Sequence, residues 1–226
     1  MARIKDVQLA EGEVLVSVTV IAAELNEVMK IAKEISIGAK NAKAIAARAG
    51  DKARGFQPIT NFIDDMARHT LKMVRQIDEE ALSISRISSQ EIRTNDAKRR
   101  MHDVIRRVEH PSILSSFVDI VAGVDAHLQD LSRQFDKRLD HLSELLDSIN
   151  SDMRAATAIS SSCRVEASRA EEFREGLSVV ADNLEKAVEV IKKHVKECSS
   201  RLQHAQQLKR AINKKIRSHN ESYDNL

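Results

Sequence analysis

Residues 41–56 read NAKAIAARAGDKARGF. An alanine-rich, helix-favouring run reaches Gly50, crosses a charged patch, meets Gly55 and resumes at Phe56. Glycine ends a helix in the left-handed conformation at little steric cost, and Asp51 suits the positive end of the helix that follows. The stretch reads as a turn between two helices, so the fold depends on what flanks it.

Upstream, apolar residues recur at alternating three- and four-residue steps: Ile4, Val7, Val14, Val18, Ile21, Leu25, Val28, Ala32, Ile35, Ala39, Ala42, Ala46 and Ala49. Only Glu11 interrupts this coiled-coil seam. Its residues become uniformly small towards Ala49, which brings backbones close at that end. Downstream, Pro58 fits a first helical turn, where a missing N–H costs little. The second seam runs through Ile59, Ile63, Met66, Met73, Ile77, Ile84, Ile87, Met101, Ile105 and Val108, thinning across SSQEIRTNDAK (88–98). The motif EHPS (109–112) ends it, because Pro111 disfavours helix at His110 and Ser112 can cap the next one.

A third helix runs through Leu114, Phe117, Val121, Val124, Leu128, Leu131, Phe135, Leu142, Leu145, Ile149, Ala156, Ile159, Cys163 and Ala170. After a break at 171–176, a fourth carries Leu177, Val180, Leu184, Ala187, Ile191, Val195, Cys198, Leu202, Ala205, Leu208, Ile212 and Ile216. The expected fold is all-α: an antiparallel four-helix bundle of coiled-coil type, running up-down-up-down as one elongated domain over 1–226. It comprises two hairpins, 1–108 and 113–222, related by a pseudo-two-fold axis. The connections near 50–56 and 171–176 then share one end.

Composition agrees. The 226 residues include 6 Gly, 2 Pro, no Trp and 3% aromatics, against 42% hydrophobic and 31% charged residues. Few breakers with abundant helix formers indicate long helices rather than sheets. A net charge of +2 selects neither nucleic acid nor membrane as partner. The most apolar segment, VLVSVTVIAA (14–23), is bracketed by Glu13 and Glu24 and is too short to span a bilayer. With no secretory leader and two cysteines that match no disulfide or metal motif, a soluble cytoplasmic protein with free thiols is expected.

A shift of 121 residues places Ala46-Ala47-Arg48-Ala49 on Ala167-Ser168-Arg169-Ala170 and Gly55 on Gly176. Phe56, Ile59 and Ile63 then fall on Leu177, Val180 and Leu184, so the two hairpins carry the pattern of a duplication.

The stretch IAKEISIGAKNAKAIAARAGDKARGFQPITNFIDDMA (31–67) resembles, without a gap, the hairpin tip of the cytoplasmic signalling domain of methyl-accepting chemotaxis receptors. The second repeat keeps VEASRA (165–170), Gly176, Leu177 and VVAD (179–182) of the same pattern. In that family each chain supplies one antiparallel hairpin, and two chains pair into a four-helix bundle. The tip docks a histidine kinase and a coupling protein, and receptors associate there. The resemblance implies a single-chain imitation of a receptor dimer's tip: a monomeric, non-enzymatic protein that takes those partners, with other receptors as a further possibility. It also implies tip contacts through Arg48, Asp51, Arg54 and Phe56 in the first repeat and Glu166 and Arg169 in the second.

The family's pattern is not kept throughout. Lys40, Ile45 and Pro58 stand where it has Leu, Glu and Val, and TAISSSC (157–163) replaces the approach to the second tip. The pairs Glu79-Glu80 and Gln90-Glu91 lack the small-residue surroundings of methylation sites and read as solvated helix faces.

Plain turn chemistry is the alternative reading of the tip residues, with Gly50 as the helix stop, Asp51 as the helix-start acid and Phe56 as a plug. A helical scaffold serving another partner is the alternative function. Catalysis finds no support, since no phosphate-cradling loop, nucleophile motif or pocketed carboxylate pair is present. The eight histidines form no i, i+4 pair and no HExxH, so structural roles are expected and no metal or cofactor. The basic runs KRRMHDVIRR (98–107) and LKRAINKKIR (208–217) complement helix C-termini as solvated charge. Weak anion binding is their sharper reading, and without interleaved aromatics nucleic acid is not expected.

Overall fold

The computed structural model describes residues 2–107 and 111–223, with the side chains of 2–9, 11, 111–116 and 215–223 outside that description. The expectations placed on the side chains of Ile4, Val7, Glu11, Leu114, Ser112 and Ile216, and on Val108, Glu109 and His110, therefore lie outside it. Four helices account for nearly all of the described residues: α1 (Ala2–Ala49), α2 (Phe56–Ile105), α3 (Pro111–Arg169) and α4 (Arg174–Tyr223). Short 3-10 turns at Gly50–Ala53 and Glu171–Phe173 join the members of each hairpin. Among the described residues there is no strand, and the fold is the expected all-α four-helix bundle. Helix α3 begins at Pro111, a first-turn position where a missing N–H costs little.

The chain forms two compact units. One comprises Met1–Thr19, Glu80–Leu142 and Leu202–Leu226, and the other Val20–Glu79 and Ser143–Arg201. Each draws on all four helices.

In the unit that holds both 3-10 turns, polar contacts tie the helices into a ring. Ser36 donates to Asp64 at 2.7 Å between α1 and α2. His69 Nδ1 lies 2.7 Å from Asp152 between α2 and α3. Arg164 donates to Asp182 at 3.0 Å between α3 and α4, and His194 Nδ1 lies 2.9 Å from Glu24 between α4 and α1. That order is the up-down-up-down arrangement. The seam of α1, from Ile21 to Ala49, is buried at every expected position. The seams of α3 and α4 differ by one residue in places. Ser160, Ala181 and Val188 are buried, whereas Ile159, Val180 and Ala187 are only half-buried. An unbroken four-three alternation from Leu177 dictates those α4 positions, and size at a neighbouring site does not override it. Thr70 also occupies a seam position, and its buried hydroxyl has no hydrogen-bond partner.

The other unit carries charge in its core. Glu80 and Glu91 do not lie on solvated faces as their flanking residues suggest; both fall on the α2 seam and are buried. Arg138 donates to the Glu80 carboxylate at 2.9 and 3.0 Å, and His141 Nδ1 lies 3.0 Å from it. Lys209, from the basic run expected to be solvated, takes the α4 seam position that Leu208 was expected to fill. Its ammonium donates to both Glu91 oxygens at 2.9 and 3.0 Å and sits 4.4 Å from the centre of the Phe135 ring. Both side chains are nearly dry, 4% and 7% exposed, so each charge depends on the other. In the first basic run Lys98 pairs with Asp125 and Arg99 with Asp96 at 3.2 Å, which leaves less free positive charge than the run suggests.

Removing one member of a buried ion pair strands the other. Lys209→Met should therefore destabilise the fold by about 3–5 kcal/mol, and adding Glu91→Leu should restore most of that loss. Urea unfolding of the single and double variants measures both changes.

Candidate functional site

The two 3-10 turns form the candidate site. In the first, Gly50 has φ of 56°, the left-handed conformation that glycine tolerates. In the second, Glu171 has φ of 45°, and among the described residues it alone takes a positive φ without being glycine. The 121-residue shift that aligns the repeats places Gly50 on Glu171. Both hairpins thus turn at the equivalent residue, although only one of them kept the glycine. A left-handed side-chain-bearing residue costs roughly 1–2 kcal/mol, so the second turn holds strain that its surroundings offset.

Part of that offset crosses between the turns. The Lys52 ammonium lies 2.6 Å from Glu171 and 3.8 Å from Glu172, bringing both connections together as expected. The Glu171 hydrogen bond and charge push the Lys52 pKa upward. These groups are about half exposed or more, so solvent screens the pair and it adds little to stability.

Below the turns, each hairpin presents a glycine to the other. A Cβ on Gly55 would collide with the Glu166 carboxylate, and a Cβ on Gly176 would sit 3.6 Å from Ile45 Cδ1. Gly55 and Gly176 are equivalent under the shift, as are Ile45 and Glu166. The same side-chain-over-glycine contact is therefore made twice, apolar on one side and charged on the other. Ala42, Ala46, Ala49, Ala53, Ala167 and Ala170 on the same stretches of chain are buried, and their small size suits close approach of the backbones.

The six tip residues separate into distinct roles. Arg48, Asp51, Arg54 and Arg169 are exposed. Glu166 is half-buried and accepts from Arg169 at 3.1 Å. Phe56 is fully buried at the start of α2, so it plugs the core and offers no surface to a partner. Val165 and Val179, within VEASRA and VVAD, are 51% and 53% exposed. Lys52, Glu171 and Glu172 join this surface through contacts between turns 119 or more residues apart, which no local motif reveals.

The thiols offer no chemistry here. Burial pushes Cys163 up to about 11, and burial with the nearby Glu24 charge pushes Cys198 up to about 12, so both stay protonated and inert at neutral pH. No described helix is long and apolar enough to cross a membrane. Comparison with protein-family models, curated proteins and solved structures finds no match in any of the three.

Strain at Glu171 has a measurable consequence. Gly50→Ala should destabilise the fold by about 1–2 kcal/mol. Glu171→Gly should instead stabilise it by about 1 kcal/mol when compared within a Lys52→Ala background, where no ion pair is lost. Denaturant midpoints of Gly50→Ala, Lys52→Ala, the Lys52→Ala/Glu171→Gly double variant and the parent chain decide the matter.

Proposed function

We propose that this chain is a non-enzymatic, cytoplasmic signalling protein of the chemotaxis-receptor type. It acts as a single-chain counterpart of a receptor dimer's tip and docks a histidine kinase and a coupling protein. The observation that supports this reading most is the doubled turn. Two receptor-like tips share a left-handed residue at the same register position and exchange glycine contacts, as paired hairpins would. Arg48, Asp51 and Arg54 form the exposed docking surface of the first tip, and Arg169 with the half-buried Glu166 forms that of the second. Exposed Val165 and Val179 supply apolar area next to those charges, the mixture that a protein interface uses.

A helical scaffold serving another partner is the second reading. It draws on the ion pairs that Lys52 makes with Glu171 and Glu172 and Arg169 with Glu166, because charges satisfied within the tip attract a docking partner less.

Co-sedimentation of the full chain with the kinase and coupling protein distinguishes the two. Binding that Arg48→Glu weakens at least about tenfold is the expected result, in the range of an interface hot spot. No binding contradicts the proposal, and binding that Arg48→Glu leaves intact contradicts the tip assignment.

A further inference from the structure

A second constellation lies on the α1–α4 face of the same unit, away from the turns. Glu24 flanks the seam residues Ile21 and Leu25, while His194 and Glu197 flank Val195 and Cys198. Residues three apart share a helix face, so His194 and Glu197 project together towards α1. One ligand atom from each of Glu24, His194 and Glu197 lies within 4.8 Å of the others. His194 Nδ1 already meets Glu24 Oε2 at 2.9 Å. The first two side chains are 32% and 21% exposed, and Glu197 is open to solvent.

We propose that Glu24, His194 and Glu197 form a binding site for a divalent transition-metal ion of the zinc class. An imidazole with two carboxylates suits zinc, and the imidazole disfavours magnesium and calcium, which take oxygen ligands. Three protein ligands leave the fourth tetrahedral position for water, and the exposed side of Glu197 gives it access. A doubly charged cation would neutralise the charge of the two carboxylates.

Nearby groups limit the alternatives. Lys193, Lys196 and Arg201 line the open groove beside Glu197 and oppose binding of a weakly held cation, so imidazole ligation is needed for retention. Cys198 is buried, and its thiol donates to the Ile21 carbonyl at 3.9 Å. The ion would tie α1 to α4 across 170 residues of chain.

Titrating the full chain with zinc chloride in a calorimeter, beside thermal melts with and without zinc, tests the site. One zinc per chain with a raised melting temperature is expected, and magnesium should not displace it. His194→Ala and Glu197→Gln should each weaken binding at least about tenfold, since even outer-shell partners of metal ligands carry that much. Glu197 is exposed, so its glutamine variant retains the fold and remains informative if His194→Ala does not. The proposal is overturned if zinc does not bind, or if either folded variant binds it as tightly as the parent chain.

Discussion

A stripe of apolar residues advancing by threes and fours gives each helix one narrow face that needs neighbours on both sides. Here that requirement is met within a single chain, because the two hairpins supply four such stripes. At the turns the constraint is sharpest. Small residues let the backbones close in, and Gly55 and Gly176 take side chains from the opposite hairpin. A bulkier seam there would separate the hairpins and with them the shared surface formed by Lys52, Glu171 and Glu172.

The buried charges show the same constraint acting on specificity. Glu91 and Lys209 lie on α2 and α4, which are diagonal members of the up-down-up-down order, so their contact passes through the core. A dry ion pair adds little net stability over an apolar pair, yet it penalises any register that separates the two charges. Glu80 with Arg138 and His141 imposes a similar condition between α2 and α3. Long bundles of repetitive seams are prone to sliding by a heptad, and charges fixed in this way oppose such slips.

Much of the architecture was legible because periodicity is local. The α1 seam, the small residues approaching Ala49 and the two turns could be read one helix at a time. What escaped depends on distant partners. Glu80, Glu91 and Lys209 look like surface residues until a counter-charge 58 or 118 positions away joins them. Glu24 and His194 are separated by 170 positions, beyond any ligand-spacing motif. On α4 a valine at 180 drew the seam one residue early, although the strict alternation from Leu177 selects Ala181. The left-handed conformation of Glu171 was within reach, since the 121-residue repeat already placed it on Gly50, but an acidic side chain gives no sign of a positive φ. The burial of Phe56 follows from packing that the motif itself does not express.

The central claim is that both tips belong to one closed molecule. Zero-length carbodiimide coupling reads it directly, because it joins an ammonium to a carboxylate only where they touch, as Lys52 touches Glu171. Equal amounts of isotopically light and heavy chain would be mixed, refolded together, coupled and digested. The account predicts linked peptides containing Lys52 and Glu171 or Glu172 whose two halves are always both light or both heavy. Linked peptides pairing light with heavy would show that the tips meet between chains, and would contradict it.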